Sequence, residues 1–173
     1  LMTDDMKKLE GNRYTIYHTE EFIKMDDEVL VALRSKKNSS MKISIEHVKN
    51  NLADACVSAG NTGALMALSK IILKMLDGID RPAICTALPT KKGIMHMLDL
   101  GANIQCNSDH LVQFAYMGDA LIQSLEITER PVVGLLNVGS EEFKGNETIK
   151  TTSQLLQKSK LNYKGFVEGD EIF

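Results

Sequence analysis

Apolar and polar positions alternate along this chain on two periods, and each change of period marks an element. Short runs rich in Val, Ile and Leu at residues 14–17, 55–58, 83–88, 95–100, 132–137 and 165–168 predict strands, the middle ones apolar on both faces. Between them, residues 26–35, 40–50, 61–76, 108–125 and 146–158 carry apolar side chains at spacings of three and four, the signature of helices with one buried face. In the third helix Leu65, Leu68, Ile72 and Met75 mark that face, and in the fourth Leu111, Phe114, Ala115, Leu121 and Leu125 do so. Strands buried on both sides belong to a sheet covered by helices, so the order predicts an α/β fold, a three-layer α/β/α sandwich with a mostly parallel sheet. Residues 78–82 and 126–131 echo one another, each closing a helix and opening a strand with a proline, which reads as two similar strand entries.

Composition narrows the function classes. With 173 residues, 43% of them hydrophobic, the chain can bury a core of its own, and one α/β domain over residues 1–173, cut at both ends, is expected. A net charge of -3 argues against a protein whose main task is to grip nucleic acid. The longest apolar stretch, residues 64–76, is interrupted by Lys70 and Lys74, so no membrane span is predicted, and the first residues do not have the pattern of a signal peptide. Cys56, Cys85 and Cys106 are odd in number and lack C-x-x-C spacing, which suits buried thiols in a reducing, cytoplasmic setting. His18, His47, His96 and His110 are scattered without metal spacing; neither a metal nor a cofactor is expected.

Three segments carry candidate chemistry. Ser58, Ala59, Gly60, Asn61, Thr62, Gly63 and Ala64 follow a predicted strand and open a predicted helix. At such a junction unpaired backbone N–H groups and the positive end of the helix dipole converge, and small residues let an anion approach. Neither a P-loop nor the dinucleotide G-x-G-x-x-G is present. A second predicted strand ends in Asp99, Leu100, Gly101, Ala102 and Asn103, and a third runs through Asn137 and Gly139 to Glu141, Lys144 and Gly145. Each segment alone fits a turn or a helix cap; three together predict a ligand site at the strand ends of an α/β sheet.

Taken in order, Asp26-Asp27, the Lys36 to Met41 stretch, Ala53-Asp54-Ala55, the SAGNTGA run, Arg81-Pro82-Ala83, the LDLGAN run, Gln113-Phe114-Ala115 with Met117-Gly118, the LLNVG run, Glu141, Lys144-Gly145 and Glu168-Gly169 form a series of landmarks over nearly the whole chain. This series resembles the PlsX family of phosphate acyltransferases. The resemblance implies a fold related to phosphotransacetylase and isopropylmalate dehydrogenase, a homodimer, and formation of acyl phosphate from acyl-acyl carrier protein and inorganic phosphate. It also implies a role in bacterial phospholipid synthesis, a membrane glycerol-phosphate acyltransferase as partner, and a cytoplasmic location, peripheral at the inner face of the membrane.

For that reaction Gly60, Asn61, Thr62 and Gly63 would supply hydrogen-bond donors to phosphate and oxyanion, with Ser58 beside them. Lys144 would add positive charge, Asn103 and Asn137 would orient substrate, and Gly101 and Gly139 would let it approach. Asp99 and Glu141 would partner cations, with a base role open for one of them. Arg34, Lys36 and Lys37, and separately Lys91 and Lys92, are candidate contacts for an acidic carrier protein. Two departures stand out: Ser140 holds the first of two positions that are commonly glutamate in the family, and the family's DAMGGD-type and D-GF-GN-type segments are missing, so the fragment by itself is expected to lack full activity. Competing readings are a non-catalytic anion- or nucleotide-binding module and a phosphotransacetylase-like enzyme. A dehydrogenase lacks support without the dinucleotide fingerprint or a carboxylate cluster suited to a divalent metal.

Overall fold

The structure, a computed structural model, describes residues 14–91, 93–101, 103, 105–138 and 146–172. They fall into two compact units that part after Lys74.

The N-terminal unit is helical. Helices α1 (Val29–Ser35), α2 (Ser40–Lys49) and α3 (Thr62–Leu73) bury Ala32, Met41, Ile45, Ala64, Leu68 and Ile72 against one another and against Ile23. These residues recur at three-and-four spacing because that interval returns a side chain to the same helix face. Each of the two longer helices starts on a polar cap: Ser39 accepts from the Lys42 N–H, and Asn61 from the Ala64 N–H. The first helix begins later than its apolar pattern predicts. Asp26 and Asp27 sit in a turn closed by bonds between the Lys24 N–H and the Asp27 carboxylate and between the Asp27 N–H and the Lys24 carbonyl. Helix α3 stops at Leu73, short of the predicted end, because Lys74 takes a left-handed φ of 71°.

Two predicted strands in this unit form no ladder among the described residues. In 14–17, Tyr14, Ile16 and Tyr17 are all exposed, so the run has no buried face of the kind a core strand presents. In 55–58 burial alternates as in a strand, with Cys56 packed on the core and Val57 97% exposed, but no neighbouring strand pairs with it.

The C-terminal unit holds all the paired strands among the described residues. β1 (Cys85–Thr90) and β2 (Gly93–Leu98) form an antiparallel hairpin in the register Cys85↔Leu98 to Thr90↔Gly93. The pairing follows from the connection: only residues 91 and 92 separate the strands, and a parallel connection needs a crossover of about a dozen residues or more. β3 (Val132–Leu136) and β4 (Asn162–Val167) are parallel, joined through α5 (Glu147–Gln157) in a βαβ unit. Among the described residues the sheets are thus two short pairs, one of each kind, in a mixed α/β architecture. β3 is not buried on both faces as predicted, since Val132, Gly134 and Leu136 are exposed.

Helix α4 (Ser108–Ser124) buries His110, Phe114 and Ile122 and packs on α5 and β2. It opens on a capping box in which Asn107 accepts from the His110 N–H and His110 Nδ1 accepts from the Asn107 N–H. The Tyr163 hydroxyl donates to Ser153 Oγ at 2.9 Å, tying β4 to α5, and burial pushes the Tyr163 phenol pKa up.

Candidate functional site

The turn that leads into α3 is built by short-range bonds. Ser58 Oγ accepts from the Gly60 N–H at 3.2 Å, which folds the chain back on itself. Asn61 then caps the helix: its side-chain oxygen accepts from the Ala64 N–H at 3.0 Å and its carbonyl from the Leu65 N–H. The amide of the same side chain donates to the carbonyls of Met25 and Asp27 at 3.1 Å each, and at 3.4 Å to that of Lys24. Asn61 is buried, and both of its amide hydrogens are engaged by the loop before α1.

The donors left for a ligand are therefore in the main chain. The N–H groups of Thr62 and Gly63, first and second residues of a twelve-residue helix, have no acceptor among the described residues, and both residues are exposed. They stand where the helix dipole is positive. Beside the turn lies a cavity of about 290 Å³ bordered by Ser40, Met41, Ser44, Ser58, Ala59 and Gly60. Gly60 lies outside the left-handed region, so its smallness serves space: an added Cβ would stand 3.0 Å from the Met41 terminal methyl. Gly63 is similarly close to Val29.

The second segment is in the C-terminal unit. Asp99 has a left-handed φ of 67°, and its N–H donates to the Ile84 carbonyl at 2.8 Å, extending the hairpin by one bond. Its carboxylate accepts from the Asn103 N–H at 3.2 Å, from Asn103 Nδ2 at 3.0 Å and from the Cys106 thiol at 3.4 Å. Asn103 Nδ2 also donates to the Pro82 carbonyl at 3.2 Å, so this amide, too, is spent on the loop itself. Arg81 Nη1 donates to the Gln105 carbonyl at 3.0 Å. Burial chiefly, and then the hydrogen bond and charge of Asp99, push the Cys106 thiol pKa up, with the Arg81 charge pulling against them. Gly101, with a φ of 77°, is exposed at the crest of the loop.

Of the third segment, Asn137 is described: its N–H donates to the Val167 carbonyl at 3.0 Å and prolongs the β3–β4 ladder. Gly139, Glu141 and Lys144 lie outside the described residues. The structure therefore groups Ser58, Gly60, Asn61, Thr62 and Gly63 in one unit, and Asp99, Gly101 and Asn103 in one loop of the other.

Sequence reading named Asp27, Arg81 and Pro82 as landmarks but did not foresee that they hold these segments. The 24–27 turn that Asn61 clasps contributes backbone carbonyls, which leave no signature in residue type. Cys106, a partner of Asp99, sits outside any strand and was read only by analogy with the other thiols. Among the described residues no three His, Cys, Asp or Glu side chains are grouped to hold a metal ion, and no helix is long and apolar enough to cross a membrane.

A family model described as "Fatty acid synthesis protein" matches residues 2–173. A phosphate acyltransferase of Methylococcus capsulatus is 53% identical over 169 residues, which make up 98% of this chain and 50% of that protein. A phosphate acyltransferase of Hydrogenovibrio crunogenus is 54% identical over 167 residues, 96% of this chain and again 50% of the relative. The chain thus spans about half the length of the curated relatives it matches. A family match over almost every residue, together with the ordered landmarks from Asp26 to Gly169, places the chain in the fatty acid synthesis protein family, that of PlsX.

Proposed function

We propose that the protein is a phosphate acyltransferase that transfers a fatty acyl group from acyl-acyl carrier protein to inorganic phosphate in phospholipid synthesis. The observation that carries the reading is the pair of unbonded N–H groups of Thr62 and Gly63 at the positive end of α3, in a turn free of large side chains. The name carried by both relatives supports the reaction class. In the proposed reaction a phosphate oxygen attacks the thioester carbonyl carbon, forming a tetrahedral oxyanion. The C–S bond then breaks, and acyl phosphate and the carrier thiolate, which takes up a proton, are released. Phosphate is itself the nucleophile, so the protein's part is to hold the anion, place the carbonyl and stabilise the oxyanion.

In this reading the Thr62 and Gly63 N–H groups cradle phosphate. Ser58, Gly60 and Asn61 keep the turn in shape, and Lys144 supplies charge. Asp99 and Asn103 hold the loop that presents Gly101, while Asn137, Gly139 and Glu141 complete the substrate side. The whole protein is a three-layer sandwich that acts as a cytoplasmic homodimer and passes its product to a membrane glycerol-phosphate acyltransferase. The test is thiol release from acyl-acyl carrier protein by a chain extended to the length of its relatives. Release that depends on phosphate and yields acyl phosphate supports the assignment; release indifferent to phosphate, or none, overturns it.

A further inference from the structure

The cleft in the C-terminal unit has a telling border. It encloses about 640 Å³. Every residue of β2 from Ile94 to Leu98 touches it, as does every residue of β3, whereas β1 contributes none. Successive side chains of a strand point to opposite faces, so a cavity over one face meets alternate residues. A cavity met by each residue in turn lies along the strand's edge. β2 has its ladder with β1 and β3 with β4, and neither has a second partner among the described residues. Two open edges thus border one cleft, with Leu111, Phe114, Ala115 and Ile122 of α4 giving it an apolar wall.

An open edge presents a row of unpaired N–H and C=O groups that favours another strand. An alkyl chain laid there would leave those groups unsatisfied, at a cost in free energy for each. We propose that the cleft is the seat of one further β-strand, hydrogen-bonded to β2 on one side and to β3 on the other, which joins the two pairs into one sheet. The strand comes from the part of the family protein outside residues 1–173, and its side facing α4 is apolar. Length supports that source, because the matched region is 50% of each relative and as much sequence again exists to supply it. β2 leads into Asp99 and β3 into Asn137, so the ends of the inserted strand lie beside two loops that carry candidate residues. The inference rests on family membership and open edges, not on the acyltransfer reading.

Amide hydrogen exchange over residues 93–98 and 132–136, in this chain and in one extended to the length of its relatives, tests it together with a crystal structure of the extended protein. The expected result is exchange slowed on the order of tenfold or more by the extension, and a strand from outside residues 1–173 bonded to both edges. Equal exchange in the two proteins overturns the proposal. So does a crystal structure in which the slot holds a segment of residues 1–173, a strand of a second copy or side chains alone. Slowing of exchange by an added long-chain fatty acid, with no strand in the slot, would assign the cleft to an acyl chain instead. No activity is read, so failure here leaves the acyltransferase reading to its own test.

Discussion

Asn61 holds Asp27 through a hydrogen bond from its side-chain amide to the Asp27 carbonyl, 3.1 Å long, while its side-chain oxygen caps helix α3. One buried side chain therefore fixes both the start of α3 and the loop in front of α1.

Replacing Asn61 with alanine removes the cap and leaves the Met25 and Asp27 carbonyls without their donor. Loss of an N-cap costs about 0.5–2 kcal/mol, and each part-buried hydrogen bond lost adds about 0.5–1.5 kcal/mol. The expected outcome for Asn61→Ala is a loss of about 2 kcal/mol or more in urea unfolding, with Asn61→Ser recovering the part due to the cap. In an extended, active protein kcat per folded molecule should change little. A drop in kcat on the order of 10² with stability intact would instead put this amide at the oxyanion.

Gly60 offers a contrast, because its demand is for space. In Gly60→Ala the new methyl meets the flexible end of Met41 at 3.0 Å and Ser58 Oγ at 3.4 Å, so the fold should hold within about 1 kcal/mol. Gly60→Val places two further carbons toward Met41 and the neighbouring cavity, and phosphate KM should rise more than the KM for the acyl donor. Steady-state kinetics with each substrate varied in turn checks this. Equal rises in both, or none, would remove the turn from the phosphate site.

How much of this was legible in the sequence depended on the range of the interaction. The helices were visible because three-and-four spacing is local; the caps Ser39, Asn61, Asn107 and Asn146 fix where four of them begin. The two strands of the hairpin were read at 83–88 and 95–100, but their antiparallel pairing was not stated. Residues 55–58 have the right period for a strand, but a strand also needs a neighbour, and pairing is not written in the segment itself. The SAGNTGA turn was found, yet the role of Asn61 was not: its engagement by carbonyls 34 and 36 residues earlier depends on how the chain folds back.

Asp99 and Cys106 allow a chemical test of the second loop. The carboxylate raises the thiol pKa by hydrogen bond and charge, in addition to burial. In Asp99→Asn the left-handed backbone is still tolerated and the negative charge is gone. The Cys106 pKa should fall, so at a fixed pH above neutrality more of it is thiolate, and alkylation by iodoacetamide, followed on the Cys106 peptide, should be faster than in the parent. Unchanged alkylation with an intact fold would mean that burial alone governs this thiol.

Packing between β3 and β4 turns on Gly134 and Val167. Gly134 is paired with Gly165, next to the register shift after Val133, and its φ is not among the positive ones, so the backbone does not require a glycine there. Space does: a Cβ at this position would overlap Val167 Cγ2, an atom of a β-branched side chain that cannot swing clear without leaving its preferred rotamer. Gly134→Ala should therefore destabilise the protein by about 1–3 kcal/mol through forced displacement of β4. Val167→Ala alone should also destabilise, since it removes packing beside the same strand. Together the two changes should cost less than their sum by about 1 kcal/mol or more, because the shortened side chain vacates the space that the new methyl needs. Urea unfolding of the four proteins of this cycle gives the coupling directly. Strict additivity would show that Gly134 is needed by the register shift itself and not by contact with Val167.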